Sequence, residues 1–348
     1  MSENTGRKMK PAVRMIDLAR MAGVSKSTVS RALSDNPLVS KETREQIQAL
    51  AREHNYRLNV SARNFFLKET LTIAVLIPTA NKTDWRILDP FFLELLGNIA
   101  DALNDEGHEL LLAKTSSQSV NWIEDYIKGK RSDGVILIGQ GIEHEKINEL
   151  SKSFAPLVVW GGALAGQKYC TVGSDNIRGG RIATEHLLSL GRRKLAFLGD
   201  KRLPEVALRY EGFCQAHAEA GVAHDASREI DIPFTSEAAF DATTALLKSH
   251  ADLDGIIASS DVIAMSAIRA IKQSGLSVPE DISVVGYDDI MLSSHYNPEL
   301  TTIRQNCREG GRYLVKRLLQ IIAGEKAPSV LLPTELVVRN SCGAKTAS

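Results

Sequence analysis

Lys26, Ser27, Ser30 and Arg31 are spaced to share one arc of an α-helix, since each residue advances about 100° around the axis. Thr28, Val29, Ala32 and Leu33 fall on the other side. One side is therefore suited to pack inward, while the other presents an ammonium, two hydroxyls and a guanidinium. Such a surface matches the donor and acceptor edges of base pairs and the phosphates of a DNA groove. The stretch Met15 to Leu33 supplies the element needed to hold this face: a first helix with an apolar side of Ile16, Leu18, Ala19, Ala22 and Val24, a turn at Gly23, and Ser25 as cap of the second helix. A helix-turn-helix is one reading, and an amphipathic helix pair inside a core is the other.

Position favours the first. Residues 1–70 hold 13 Lys and Arg against 7 Asp and Glu, so the zero net charge of the 348-residue chain hides a basic N-terminal end and an acidic remainder. The basic end is the expected nucleic-acid surface. Ser40 caps an expected third helix, Lys41 to His54, whose Ile47, Leu50, Ala51 and His54 recur at helical spacing and close a three-helix domain. Residues 56–69 carry a short helix signal, with Asn59 as cap followed by Val60, Ala62, Arg63, Phe65 and Phe66. Two turns of helix are marginal in water, so this segment is expected to order against DNA or a partner chain.

From Leu71 short apolar strands alternate with amphipathic helices, which predicts parallel α/β sheets. Nine strands are expected, over 71–78, 108–114, 134–139, 156–161, 194–199, 229–234, 255–260, 282–287 and 335–340. That number suits two lobes facing across a cleft better than one sheet, with ligands at the C-terminal strand ends. Enzyme chemistry finds no support. Gly139-Gln140-Gly141 lacks a third spaced glycine, there is no phosphate-binding Gly-Lys-Ser/Thr loop, and no Gly-x-Ser-x-Gly or His-Glu-x-x-His motif occurs. No cofactor or metal is implied, and Cys170, Cys214, Cys307 and Cys342 form no metal-binding spacing. Scattered cysteines, a polar N-terminus and the absence of a run of about 20 apolar residues predict a soluble cytoplasmic protein that does not enter membranes.

The motifs VSKSTVSRAL (24–33), VSKETREQI (39–47), SARN (61–64), SDNIRGGRIATEHLLSLG (174–191), RYEGF (209–213), SDVIAMSAIRAIKQSGLSVPEDISVVGYDDI (260–290) and LTTIRQN (300–306) together cover most of the chain. In them the sequence resembles the lactose-repressor/galactose-repressor family of bacterial transcription regulators. The resemblance implies a headpiece over residues 1–58, a hinge helix over 59–70, and a dimerising effector-binding core over 71–348. In that core the N-lobe takes about 71–173 and 303–325, and the C-lobe about 174–302 and 326–342. The implied function is repression of carbohydrate catabolism genes, with operator affinity changed by a sugar or sugar derivative bound between the lobes. The implied partners are double-stranded operator DNA, that effector and a second copy of the chain.

For DNA the resemblance implies Ser25, Lys26, Ser27, Thr28, Ser30 and Arg31 from the headpiece and Asn59, Arg63 and Phe65 from the hinge. Lys26, Ser27 and Arg31 are the strongest of these, because Thr28 projects toward the core side. Two departures stand out. Tyr56-Arg57-Leu58-Asn59 lacks the proline of the family's Tyr-x-Pro-Asn, and Phe65 stands where the family often inserts a leucine into a base step. Phe65 and Phe66 have two readings, an aromatic wedge in the DNA or packing against the dimer mate.

For the effector the matching positions are Phe92, Gln140, Asp175, Arg209, Phe234, Ser260, Asp288 and Gln305, with Trp85 and Asp89 as weaker candidates. Asp175, Arg209 and Asp288 are suited to bind sugar hydroxyls in pairs, or to act as structural ion pairs and caps. Phe92 or Phe234 offers a face to a pyranose. Ser260 stands where many sugar-responsive relatives carry Asn or Asp. The tail SCGAKTAS has no leucine heptad, so a dimer rather than a coiled-coil tetramer is expected. An exported solute-binding protein and a carbohydrate-active enzyme are the competing readings; the first leaves residues 15–56 without a role, and the second lacks a catalytic motif.

Overall fold

The computed structural model describes residues 13–33, 35–54, 56, 69–79, 89–116, 126–141, 144–153 and 156–344. The chain forms two compact units, Met1–Thr70 and Leu71–Ser348.

In the first unit, α1 (Met15–Met21), α2 (Lys26–Leu33) and α3 (Lys41–Glu53) enclose a small core. Leu18, Val29, Ala32 and Ile47 are fully buried in it, with Ala19 and Ala51 beside them. Ile16 is exposed, contrary to expectation. It lies two residues, about 200° of helix, from Leu18 and so points away from the packed face. Gly23 adopts φ +66°, a left-handed turn that spares a Cβ penalty, and the Val24 N–H donates to the Ala19 carbonyl at 3.0 Å. Both expected caps form: Ser25 Oγ accepts from the Thr28 N–H at 3.1 Å and Ser40 Oγ from the Thr43 N–H at 3.3 Å. The expected hinge residues Asn59, Arg63, Phe65 and Phe66 lie outside the described residues.

The second unit contains two six-stranded sheets. The first lobe holds β1 (Thr72–Thr79), α4 (Pro90–Asp105), β2 (Glu109–Ser116), β3 (Gly134–Ile138), α5 (His144–Ser153), β4 (Leu157–Trp160) and β5 (Cys170–Ser174). The chain then crosses over and builds α6 (Asn176–Ser189), β6 (Leu195–Leu198), α7 (Pro204–Glu219), β7 (Glu229–Ile230), α8 (Ser236–Ser249), β8 (Gly255–Ala258), α9 (Asp261–Gln273), β9 (Ser283–Asp288) and β10 (Thr301–Arg304). It returns with α10 (Cys307–Ile322) and β11 (Val330–Leu332) before a last crossing to β12 (Glu335–Val337). The sheet orders are β11-β5-β4-β3-β1-β2 and β12-β10-β9-β8-β6-β7. All pairs are parallel except β10 with β12.

Three strands escaped the sequence pattern, namely β5, β10 and β11, and the lobe boundary moves with them. β11 pairs with β5 in the first sheet, so the final crossing follows residue 332, not 325 as expected. The expected strand over 229–234 pairs only at Glu229–Ile230, and Pro233, which has no N–H to donate, follows closely.

Each sheet is covered on both faces. Along β1, Ile73, Val75 and Ile77 enter one core, while Ala74 and Leu76 enter another. β6 repeats this with Ala196 and Leu198 against Leu195 and Phe197. Apolar runs rather than alternation follow from burial on both sides. α6 and α7 approach closely because Gly180 and Gly212 carry no side chain; a Cβ at either would overlap the carbonyl oxygen of Arg209 or Ile177 respectively. That contact sets where Arg209 sits. Among the described residues no helix is long and apolar enough to cross a membrane.

Candidate functional site

On the headpiece, the predicted face is largely exposed. Lys26, Ser27 and Arg31 are exposed and Ser30 is half-buried, while Val29 and Ala32 on the reverse side are buried. Neither Lys26 nor Arg31 has an ion-pair partner among the described residues, so their charges face outward. The hydroxyls are less free. Ser25 Oγ lies 2.7 Å from Ser27 Oγ and 2.8 Å from Thr28 Oγ1 while it caps the helix. Thr28 is half-buried, and its hydroxyl belongs to this capping cluster, in keeping with its projection toward the core. The result is a helix N-terminus with a stiff hydroxyl cluster followed by two cations, suited to phosphate and base-edge contact.

In the second unit, the C-terminal strand ends of the two lobes face each other across a small cavity of about 60 Å³. The first lobe contributes Asp89, Phe91, Phe92, Gly139, Gly141 and Trp160, and the second Leu203, Glu205, Val206, Arg209, Phe234 and Asp288. Ordinary ligand pockets measure roughly 300–1,000 Å³. The cleft is therefore closed down, and a sugar-sized ring enters only when the lobes part or side chains move.

The aromatic wall is built locally. Asp89 caps α4 by accepting the Phe91 N–H at 3.0 Å, which aims Phe91 and Phe92 from the first helical turn. The Phe91 ring centre lies 5.5 Å from that of Phe92, edge to face, and 6.0 Å from that of Trp160 at the end of β4. Phe234 faces them from the second lobe.

Four ionisable groups share this space. Arg209 is buried, and its guanidinium donates from Nε to Asn176 Oδ1 at 2.8 Å and from Nη1 to the Ser259 carbonyl. Its plane lies over the Tyr287 ring, 3.7 Å from the centroid. Asp288 is buried at the end of β9, and Gln305 Nε2 donates to its Oδ1 at 2.7 Å. Its backbone φ of +121° is a conformation that a side chain rarely adopts, held by the flanking sheet. Burial pushes the Asp288 carboxyl well above its usual range, with Arg209 opposing the shift. Burial also raises Asp89 and Glu205. Behind Asp288, buried Asp261 accepts from the Ile290 N–H and from the Ser293 and Thr302 hydroxyls, and burial pushes it up to about 7. Across the cleft, the Gln140 N–H of the first lobe donates to Glu205 Oε1 of the second at 3.3 Å.

Phe92, Arg209, Phe234 and Asp288 thus line the cavity, Gln305 positions Asp288, and the weaker candidate Asp89 joins them. Besides Gln305, three predicted positions do not line it. The Gln140 carboxamide turns back, with Nε2 donating to the Gly162 carbonyl and the Tyr169 hydroxyl and Oε1 accepting the Gly162 N–H. Asp175 caps α6 through the Arg178 N–H, and Ser260 caps α9 through the Ile263 N–H. Local caps claim Asp175 and Ser260, and partners remote in sequence claim Gln140. Trp85 lies outside the described residues. Trp160 and Glu205 line the cavity without having been expected. Their signals were available: an aromatic ending a buried strand, and an acid directly after the proline that opens a helix beyond a strand.

Residues 14–59 match the family described as bacterial regulatory proteins, lacI family, and residues 184–342 match the periplasmic binding protein-like domain. The chain is 31% identical to the HTH-type transcriptional regulator CelR of Thermobifida fusca over 96% of this chain and 99% of that one. Among solved structures, the lac repressor dimer bound to operator and the anti-inducer ONPF superposes with a TM-score of 0.85 at 27% identity, over 96% of this chain and all of that one. The complex of CelR with cellobiose gives 0.70 at 28% identity, over 94% and 99%.

Proposed function

Because the chain belongs to the lacI family of bacterial regulatory proteins, we propose that it is a cytoplasmic repressor, active as a homodimer, whose operator affinity changes when a carbohydrate binds between the core lobes. Lys26, Ser27 and Arg31 read the operator, with Ser25, Thr28 and Ser30 organising or flanking that face. Asn59, Arg63 and Phe65 contact the minor groove. Phe92, Arg209, Phe234 and Asp288 hold the effector, with Gln305 behind Asp288. Gln140, Asp175 and Ser260 shape the walls through the backbone and helix starts.

The observation that carries this reading is the cleft: aromatic faces and oriented polar groups from both lobes converge on one cavity at the strand ends. A compound that touches both lobes binds the closed arrangement better than the open one. That differential affinity is the free energy available to act on DNA binding. A dimer supplies two copies of the reading helix for the two halves of a roughly palindromic operator.

Fluorescence anisotropy on the chain's own upstream region tests the proposal. Binding is expected to exceed that to random DNA by about a thousandfold or more and to weaken steeply with salt, and an added sugar is expected to change it. Equal affinity for random and upstream DNA at physiological salt overturns it.

A further inference from the structure

Asp89 from one lobe and Glu205 and Asp288 from the other bring three carboxyl groups to a cavity of about 60 Å³, and Arg209 is the one cation among its described lining residues. We infer from this juxtaposition that the effector is an uncharged, hydroxyl-rich ring compound and that the cleft rejects its phosphorylated or carboxylated forms. This rests on the cleft being the effector site.

The one guanidinium is partly committed. Asn176 Oδ1 and the Ser259 carbonyl take donors from two of its nitrogens, and its face is covered by Tyr287. With Nε and Nη1 engaged, Nη2 is the nitrogen it turns to a ligand, a single point of donation rather than the two-nitrogen fork that grips a phosphate or carboxylate. The three carboxyl groups are each oriented by a protein donor: Phe91 N–H on Asp89, Gln140 N–H on Glu205, and Gln305 Nε2 on Asp288. They arrive from opposite walls, so a ring between them meets acceptors on more than one edge. Hydroxyls meet acceptors by donating, whereas phosphate and carboxylate oxygens only accept. An anion entering here also gives up its water in a cavity too buried to favour negative charge. Burial already raises all three carboxyl groups, so the site resists the negative charge it holds. Phe92, Trp160 and Phe234 cover the remaining apolar surface of a ring.

The test uses matched compounds with the full-length chain: D-glucose against glucose 6-phosphate and glucuronate, and D-ribose against ribose 5-phosphate. Thermal shift and isothermal titration are read alongside DNA anisotropy. The neutral member of a pair is expected to bind about a hundredfold or more tighter than its anionic counterpart, given the cost of burying a charge without a full counter-ion. The Asp89→Asn, Glu205→Gln double variant is expected to narrow that gap to about tenfold. Asn still caps α4, so Asp89→Asn alone serves as a second variant should the double one fail to melt cooperatively.

Wild-type chain that binds a phosphate or glucuronate as tightly as the neutral sugar overturns the inference, as does a folded variant that keeps the full gap. If that anion also changes operator affinity, the effector reading survives while this one falls. A neutral sugar that binds without changing operator affinity does the reverse. A cleft that takes neither member of any pair overturns both.

Discussion

The recognition face rests on a division of labour among neighbouring residues. Ser25 stiffens the helix start through the Thr28 N–H, and the hydroxyls of Ser27 and Thr28 gather on it, so the unpaired charges of Lys26 and Arg31 extend from a fixed base. Lys26→Ala is expected to cost about 1–3 kcal/mol of discrimination between the upstream region and random DNA, with sugar affinity of the core unchanged. Anisotropy on both DNAs together with a thermal shift of the variant checks this; undiminished discrimination sinks the assignment. The direction of this face was legible because 3.6-residue periodicity alone determines it. Directions in the cleft were not. Asp175 and Ser260 sit at strand-to-helix junctions, where Asp and Ser are strong helix caps, and the nearby N–H groups of Arg178 and Ile263 claim them. Gln140 likewise reached the right strand end and then turned inward to Gly162 and Tyr169.

Among the elements, the strands that could be read were mostly apolar runs, even at four residues as in Leu157–Trp160, Leu195–Leu198 and Gly255–Ala258. Thr301–Arg304 and Cys170–Ser174 break the run with polar residues, and Val330–Leu332 is three residues long. Sheet neighbours decide such segments, and those neighbours are remote in sequence. The α6–α7 contact is equally invisible in a local pattern, although it places Arg209 against the cavity. Gly180→Ala drives a methyl group into the Arg209 carbonyl oxygen, which is backbone and cannot rotate away. A loss of about 1–3 kcal/mol or more is expected, from overpacking of a tight interface. Gly191→Ala, in open space but at φ +89°, serves as a comparison in which only backbone strain acts. Urea denaturation of both variants measures the difference. A Gly180→Ala chain as stable as wild type contradicts the close approach described here.

At the scale of the whole molecule, the two-lobed core carries a linkage between proton binding and stability. Asp89, Glu205, Asp261 and Asp288 all hold their protons more tightly when folded than in the open chain, mainly because burial disfavours the charge. A carboxyl group raised in this way adds stability below its unfolded value, near pH 4, and loses it as pH rises through the folded value, about 7 for Asp261. Asp200 and Asp225 are shifted downward by hydrogen bonds and neighbouring charge, so they act below about pH 4 and oppose the trend only there. Burial holds His186 and His217 below the usual imidazole range, so they add stability as pH rises to about 6.5 and oppose the acids up to there. The melting temperature of the full-length chain is therefore expected to fall between about pH 6.5 and pH 8, where only the raised acids act; a rising curve there contradicts the burial of these acids. The hydrogen bond from Gln140 to Glu205 carries a consequence in time. It joins the lobes beside a cavity smaller than a sugar ring, so arrival waits for the lobes to part or side chains to move. That bond acts beside an apolar contact, because Ile290 of the second lobe is buried in the first lobe's core, so opening costs more than one hydrogen bond. As effector concentration rises, the observed association rate levels off at the rate of opening, and the regulator's response time is then set by its own hinge rather than by how much sugar surrounds it.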